Sequence, residues 1–145
     1  MVHELYQETI LDHSKRPRNC HAMADADRKA EGYNPLCGDK LKLYVKMDGD
    51  IVRDASFEGS GCAISTASAS LMTESLKGKT RTEALALLEK FHDLLTSDDE
   101  VGDGLGKLVV FCGVRDYPAR VKCATLAWHT LKSALNGADR PVSTE

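Results

Sequence analysis

The chain has 145 residues, the length of a single domain, and its 42% apolar and 28% charged residues are typical of a globular protein. Nineteen basic residues against 22 acidic ones give a net charge of −3, which argues against nucleic acid as the main partner. The longest apolar runs, residues 84–88 and 108–112, are too short to span a membrane, and the N-terminus lacks the apolar core of a secretory signal. We therefore expect a cytoplasmic protein with neither nucleic acid nor a membrane as its partner.

The first half of the chain is predicted to form a helix followed by a β-hairpin. Residues 2–13 have the period of a short amphipathic helix, and residues 20–36 have no regular period. Alternating apolar and polar side chains then predict two strands, residues 41–47 and 51–58, joined by an Asp-Gly turn. Arg53 falls on the apolar side of the second strand and interrupts its alternation. A third short strand would complete an antiparallel sheet.

The second half is predicted to be mostly helical. Residues 62–76 are rich in alanine and serine, small residues that let a helix pack closely. Thr80 and Glu83 have the spacing of a capping box, and the apolar residues that follow recur at helical spacing as far as residue 95. The pattern of residues 107–112 fits a strand as well as a helix.

The last helix is predicted to begin at Asp116-Tyr117-Pro118, because proline is favoured in a first turn, and to end at Asn136-Gly137. The fold class that these elements predict is α+β, a small antiparallel sheet of about three strands with helices around it. We expect one domain over residues 1–137 and a flexible C-terminal tail over residues 138–145.

Cysteine is the most informative residue type in the composition. Five cysteines are an odd number, so complete internal pairing is impossible. None belongs to a C-x-x-C pair, and this excludes a zinc ribbon and a thioredoxin-type redox motif. Any metal ligands must therefore come together from distant segments.

Cys37 lies in a segment that predicts a turn. Pro35 and Gly38 shape this turn immediately before the first strand of the predicted hairpin, and Asp39 follows Cys37 by two residues. A turn can direct a thiol and a carboxylate at this spacing toward the same point.

Two further cysteines lie at the edges of predicted helices. Cys62 follows Gly-Ser-Gly and opens a helix, where the helix dipole favours a thiolate. Cys123 lies in the first turns of the last helix beside Arg120 and Lys122, whose charges also favour a thiolate. Together with Cys37 and Asp39 of the turn, these two cysteines could form a tetrahedral ligand set for zinc or anchor an iron–sulfur cluster. By spacing alone, each cysteine could equally be a small packing residue.

Three motifs in this order resemble the U-type iron–sulfur cluster assembly proteins. The motifs are Asn34-Pro-Leu-Cys37-Gly-Asp39, the segment from Gly59-Ser-Gly-Cys62 to Glu74, and the segment from Pro118 to Trp128. The resemblance extends from about residue 4 to about residue 136 and includes the N-terminal segment from Tyr6 to Asn19. It implies a small antiparallel sheet with helices packed around it, and a helix over residues 107–113.

Within this family the chain is more similar to the SufU branch than to the IscU scaffold branch. IscU proteins carry histidine directly before the last cysteine, where this chain has Lys122. The stretch between Cys62 and Cys123 is long, as in SufU proteins. The Leu-Pro-Pro-Val-Lys motif that docks a chaperone on IscU is replaced by residues 116–122, so the resemblance does not imply a chaperone partner of that kind.

The resemblance implies a site and an activity. Cys37, Asp39, Cys62 and Cys123 would hold one Zn²⁺, and Cys37 would be the catalytic residue that accepts sulfur. The sulfur would come from a cysteine desulfurase of the SufS type, as a persulfide, and pass to the downstream iron–sulfur assembly machinery. On this interpretation the chain is a sulfurtransferase.

Arg120 and Lys122 would offset the negative charge of the ligands or contact the desulfurase. Two alternatives remain open. The same ligands could carry a transiently bound [2Fe–2S] cluster on a scaffold, or they could hold a purely structural zinc ion.

Overall fold

A small antiparallel sheet with helices packed against it forms the framework of the protein. The computed structural model describes residues 2–35, 38–96, 105–136 and 142–143. In chain order the elements are α1 (Val2–Lys15), β1 (Arg28–Asn34), β2 (Asp39–Asp48), β3 (Ile51–Ser60), α2 (Ala63–Leu76), α3 (Arg81–Thr96), a 3₁₀ helix (Gly106–Asp116), α4 (Pro118–Asn136) and β4 (Val142–Ser143). None of the described helices is long and apolar enough to cross a membrane. The predicted α+β fold class is confirmed.

The strands lie in the order β3-β2-β1-β4. β2 pairs antiparallel with β1 and with β3, which gives the predicted three-stranded sheet. The two residues of β4 pair with β1 in the parallel direction, Val142 opposite Gly32. Most of the predicted tail, 138–145, lies outside the described residues, so its flexibility stays a prediction.

β1 falls within the segment 20–36, for which the sequence predicted no regular structure, and that prediction was wrong. Its inward positions are Ala30, Gly32 and Asn34, which are small or polar and give no hydrophobic alternation. A side chain at Gly32 would place its Cβ 2.1 Å from the hydroxyl oxygen of Thr130. The close approach of α4 to the sheet therefore requires glycine here.

The alternation that Arg53 interrupts has a structural cause in β3. Lys46 is paired with Asp54 and Met47 with Val52, so Arg53 is the extra residue of a β-bulge. The bulge changes the phase of the strand, and Val52 is buried while Ile51 is 45% exposed. Ile51 therefore does not share the inward face of Ala55 and Phe57.

The segment whose pattern fitted strand and helix alike, and for which the resemblance implied a helix, is the 3₁₀ helix. Three of its buried residues, Leu108, Phe111 and Val114, recur at every third position, as three residues per turn require. Phe111 meets the ring of Phe91 edge-on at 5.6 Å, and Phe91 stacks on Trp128 at 4.6 Å between ring centroids. These aromatic contacts join α3, the 3₁₀ helix and α4 into one core.

The helix ends agree with the local signals. The capping box is confirmed: the Thr80 N–H donates to Glu83 Oε1 and the Glu83 N–H donates to Thr80 Oγ1, both at 3.1 Å. This cap fixes the start of α3. α4 begins at Pro118, as the proline predicted.

A buried histidine fixes the N-terminal segment to α2. His13 is 2% exposed, and its Nδ1 lies 2.7 Å from Ser70 Oγ, which also accepts the Arg18 N–H. Burial, and then the positive charge of Arg18, lower the pKa of His13. The contact ties α1 to α2, the helix that follows Cys62.

We expect His13 to make the protein less stable in mild acid. Its pKa in the folded protein lies below the usual 6.5, so the unfolded chain binds the proton first as the pH falls. The contribution of neutral His13 to the free energy of unfolding is complete above about pH 6.5. It is lost as the pH falls from there toward the lowered pKa of His13. Urea unfolding of His13→Asn should show a smaller loss of unfolding free energy across this range than wild type.

The matched control is His21→Asn, because His21 is exposed and its loss should leave the pH dependence as in wild type. If the unfolding free energies of wild type and His13→Asn had the same pH dependence, His13 would not be the cause of the lower stability in mild acid.

Candidate metal centre

Three potential ligands converge at one end of the sheet. A carboxylate oxygen of Asp39 and the sulfur atoms of Cys62 and Cys123 all lie within 4.8 Å of one another. Asp39 begins β2, Cys62 lies between β3 and α2, and Cys123 is in α4. Among the described residues this is the one cluster of three or more such side chains. The structure thus brings together three of the four residues that the sequence singled out.

Cys37, the fourth predicted ligand and the predicted sulfur acceptor, lies outside the described residues. It belongs to the connection between β1 and β2, whose last and first residues, Asn34 and Asp39, are paired. Gly38 in this connection has a φ of +71°, a conformation that glycine adopts without strain. The roles of Cys37 stay predictions.

Both oxygens of the Asp39 carboxylate accept hydrogen bonds. Oδ1 accepts the backbone N–H of Cys62 at 2.8 Å, and Oδ2 accepts from Asn34 Nδ2 at 3.1 Å. Asp39 is fully buried, and a Cβ at Gly61 would lie 2.5 Å from its Oδ1. The carboxylate is therefore held in one orientation, and Gly61 must be glycine for it to fit.

Cys62 is the N-cap residue of α2. Its sulfur accepts the backbone N–H of Ser65 at 3.4 Å, as the side-chain oxygen of a serine would do at this position. The N-terminus of a helix favours negative charge. The position expected from the sequence, at the start of a helix, is confirmed.

Cys123 is buried in the first turns of α4. Its sulfur lies 3.5 Å from Asn34 Nδ2, which donates to it, and 3.6 Å from the carbonyl oxygen of Ala119. Arg120 is exposed and Lys122 half-buried, in the turn before Cys123. Their predicted tasks, offsetting charge or contacting a desulfurase, stay predictions.

Asn34 is the site residue that sequence reasoning missed. It is fully buried, and its amide nitrogen donates to both Asp39 and Cys123. The sequence shows it only as the first residue of the motif around Cys37. Hydrophobic periodicity cannot find a buried amide, and only the register of β1 against β2 brings Asn34 opposite Asp39.

The donor set of the site fits zinc. Bonds of about 2.3 Å to sulfur and about 2.0 Å to oxygen place tetrahedral ligand atoms about 3.5–3.8 Å apart, and the three atoms here lie within 4.8 Å of one another. Small movements of these side chains would close the remaining gap. The N–H groups directed at each of them suit anionic ligands, as metal sites require.

The two other cysteines lie away from this cluster. Cys20 is exposed and its backbone bridges to Phe57 at the edge of β3. Cys112 is half-buried and packs against the core from the 3₁₀ helix. Neither joins the three converging ligands.

A helix-packed antiparallel sheet with two thiols and a carboxylate at one end is the architecture of a small metal- or cluster-binding domain. The family model described as the NifU-like N terminal domain matches residues 5–136. The chain belongs to this family of iron–sulfur cluster assembly proteins.

Named relatives and solved structures agree with this assignment. The zinc-dependent sulfurtransferase SufU of Bacillus subtilis is 45% identical over 134 residues, which cover 90% of this chain and 89% of the relative. The iron–sulfur cluster assembly scaffold protein IscU of Streptococcus pyogenes is 42% identical, covering 92% of this chain and 84% of the relative. A crystal structure of a candidate scaffold protein for the SUF system from Fervidobacterium islandicum matches with a TM-score of 0.85 and 40% identity, covering 92% of this chain and 98% of that one.

We predict that Gly61→Ala weakens metal binding strongly. The added methyl group would lie 2.5 Å from Asp39 Oδ1, and the carboxylate cannot move away without losing its two hydrogen bonds. Competition with a chromophoric chelator should show a zinc affinity at least about tenfold lower.

The matched control for this variant is Gly49→Ala in the β2–β3 turn. Gly49 has a positive φ, +62°, and a Cβ there meets nothing within 4 Å. We expect this variant to lose about 1 kcal/mol of stability and to keep the zinc affinity of wild type. Equal affinities for both variants would show that Asp39 is not a ligand or that it moves freely.

Proposed function

We propose that the protein is a zinc-dependent sulfurtransferase of iron–sulfur cluster assembly. It accepts persulfide sulfur from a cysteine desulfurase of the SufS type and passes it to the downstream assembly machinery in the cytoplasm. Cys37 is the acceptor, and Cys37, Asp39, Cys62 and Cys123 are the zinc ligands. The observation that carries the proposal is the convergence of the last three at one end of the sheet.

Two further observations support the transfer activity. The relative from Bacillus subtilis, which is 45% identical, is named as a zinc-dependent sulfurtransferase. Lys122 stands before Cys123, at the position where the resemblance to IscU would require histidine. Because a protonated lysine is a poor metal ligand, the site keeps the ligand set of three thiols and one carboxylate.

The chemistry of the proposed step needs no external oxidant. The Cys37 thiolate attacks the outer sulfur of the desulfurase persulfide, so a sulfur–sulfur bond forms on Cys37 while the old one breaks. The desulfurase cysteine leaves as a thiolate, and Cys37 carries the persulfide. A bound zinc ion keeps thiol ligands deprotonated at neutral pH.

The contacts of the other residues suit them to remain in place during this step. Asp39 is held by donors on both oxygens, and the Cys62 sulfur accepts the Ser65 N–H at the helix start. Asp39 begins β2, Cys62 caps α2 and Cys123 lies in α4, and the core fixes these three elements. Their positions therefore do not depend on the connection that contains Cys37, and this favours Cys37 as the ligand that exchanges.

The second candidate function is a scaffold on which a [2Fe–2S] cluster is assembled and then transferred. The relative from Streptococcus pyogenes, which is 42% identical, is named as such a scaffold, and cysteine thiolates also hold clusters of this type. Anaerobic reconstitution with iron and sulfide distinguishes the two. A stable visible absorption and transfer of the cluster to an acceptor apoprotein would favour the scaffold.

The decisive experiment measures turnover of the matching cysteine desulfurase with and without the zinc-loaded protein, anaerobically and with iron excluded. We expect strong stimulation that Cys37→Ser abolishes, because serine does not form a persulfide. The control is Cys20→Ser, since Cys20 is exposed and outside the ligand cluster, and it should stimulate as wild type does. Absence of stimulation by folded, zinc-loaded wild type would contradict the proposal.

Removal of the metal separates this function from a purely structural zinc ion. The aromatic contacts that join α3, the 3₁₀ helix and α4 involve no site residue, and a chain of this length buries enough surface to fold unaided. We expect a chelator to abolish sulfur acceptance while the far-ultraviolet circular dichroism spectrum at 25 °C is retained. Unfolding on chelation, reversed by zinc, would favour the structural role.

A further inference from the structure

One buried amide connects two of the proposed metal ligands. Asn34 is the last residue of β1, is fully buried, and reaches both Asp39 of β2 and Cys123 of α4. We infer that Asn34 is a positioning residue of the metal centre, which holds these two ligands at binding distance. The inference rests on the proposed metal site, and it assigns a role to a residue that supplies no ligand itself.

The donor atoms of Asn34 determine what it can do. Its Nδ2 carries two hydrogens, one for Asp39 Oδ2 at 3.1 Å and one for Cys123 Sγ at 3.5 Å. Since an amide nitrogen only donates, both ligand atoms must act as acceptors. Hydrogen bonds of this kind from a neighbouring residue orient metal ligands and strengthen metal binding.

The other end of the same amide indicates why asparagine stands here. Asn34 Oδ1 is buried, and within the described residues it has no hydrogen-bond partner. A buried acceptor without a partner costs stability, and an apolar side chain of similar size would avoid that cost. The benefit that offsets the cost lies in the two hydrogens of the amide nitrogen.

The backbone leaves Asn34 little freedom to point elsewhere. It is paired with Asp39 in the register of β1 and β2, and every second residue of β1 from Ala30 faces the core. Because α4 packs closely over Gly32 in the same strand, Cys123 reaches the amide from the adjacent helix. The link between the two ligands is therefore part of the sheet–helix packing.

The experiment compares Asn34→Leu with wild type in the full chain. Leucine is close in size but donates no hydrogen bond. Zinc affinity is measured by competition with a chromophoric chelator, and Co²⁺ loading reports the sulfur-to-cobalt charge-transfer absorption. We expect a zinc affinity about 10–100-fold lower, with a weaker or shifted cobalt spectrum.

The control variant is Thr73→Val. Thr73 is also fully buried, and its hydroxyl links Asn19 with the carbonyl of Ser70, about three turns along α2 from Cys62. Its loss should lower the unfolding temperature without changing zinc affinity or the cobalt spectrum. Asn34→Ala is tested beside Asn34→Leu, so that a poor fit of leucine is not mistaken for loss of the amide.

Each outcome has a defined meaning. Wild-type affinity and cobalt spectrum in both Asn34 variants would overturn the inference and leave the proposed function intact. Both variants failing to fold without metal, while Thr73→Val folds, would show a purely structural role and also overturn it. If wild type binds neither zinc nor Co²⁺, the metal site itself is wrong. Weakened metal binding in the variants, together with no sulfur acceptance by wild type, would support Asn34 and contradict only the sulfurtransferase.

Discussion

The hydrogen bonds to the buried carboxylate of Asp39 are the interactions on which the site depends. The N–H of Cys62 and the amide of Asn34 each donate to one carboxylate oxygen. These bonds join the last residue of β1 and the first residue of β2 to the start of α2. The Asn34 amide extends the link to Cys123 in α4. Burying a carboxylate is costly unless donors compensate it, so the arrangement is stable only when all these elements are in register.

The fold supplies that register by close packing. Glycine at position 32 lets α4 approach the sheet, and glycine at position 61 leaves room for the Asp39 carboxylate. The stack of Phe91 on Trp128 fixes α4 against α3, and the contact of His13 with Ser70 fixes α2 against the N-terminal helix. Each helix that carries or follows a candidate ligand is thus anchored at a point away from that residue.

Such anchoring suits a site that exchanges a ligand. Asp39, Cys62 and Cys123 are held by core elements, whereas Cys37 belongs to the connection between two strands. On the proposed ligand set, three ligands on core elements and Cys37 on a hairpin connection would keep a metal while one position opens to a partner. A sulfur carrier needs such an open position and a closed structural site does not. Membership of the NifU-like N-terminal family is consistent with such a use and also with a scaffold.

Local signals in the sequence determined much of this protein. The hairpin, the capped α3 and the start of α4 follow from alternation, capping residues and proline, because each acts within a few residues. The four candidate ligands follow from the resemblance of three separated motifs to a known family. Only the tertiary structure decided the position of β1, whose inward residues are small or polar, and the phase of β3, which the bulge at Arg53 resets. It also decided that Asn34 joins Asp39 to Cys123, since that contact spans 89 residues of chain and depends on packing that no local pattern encodes.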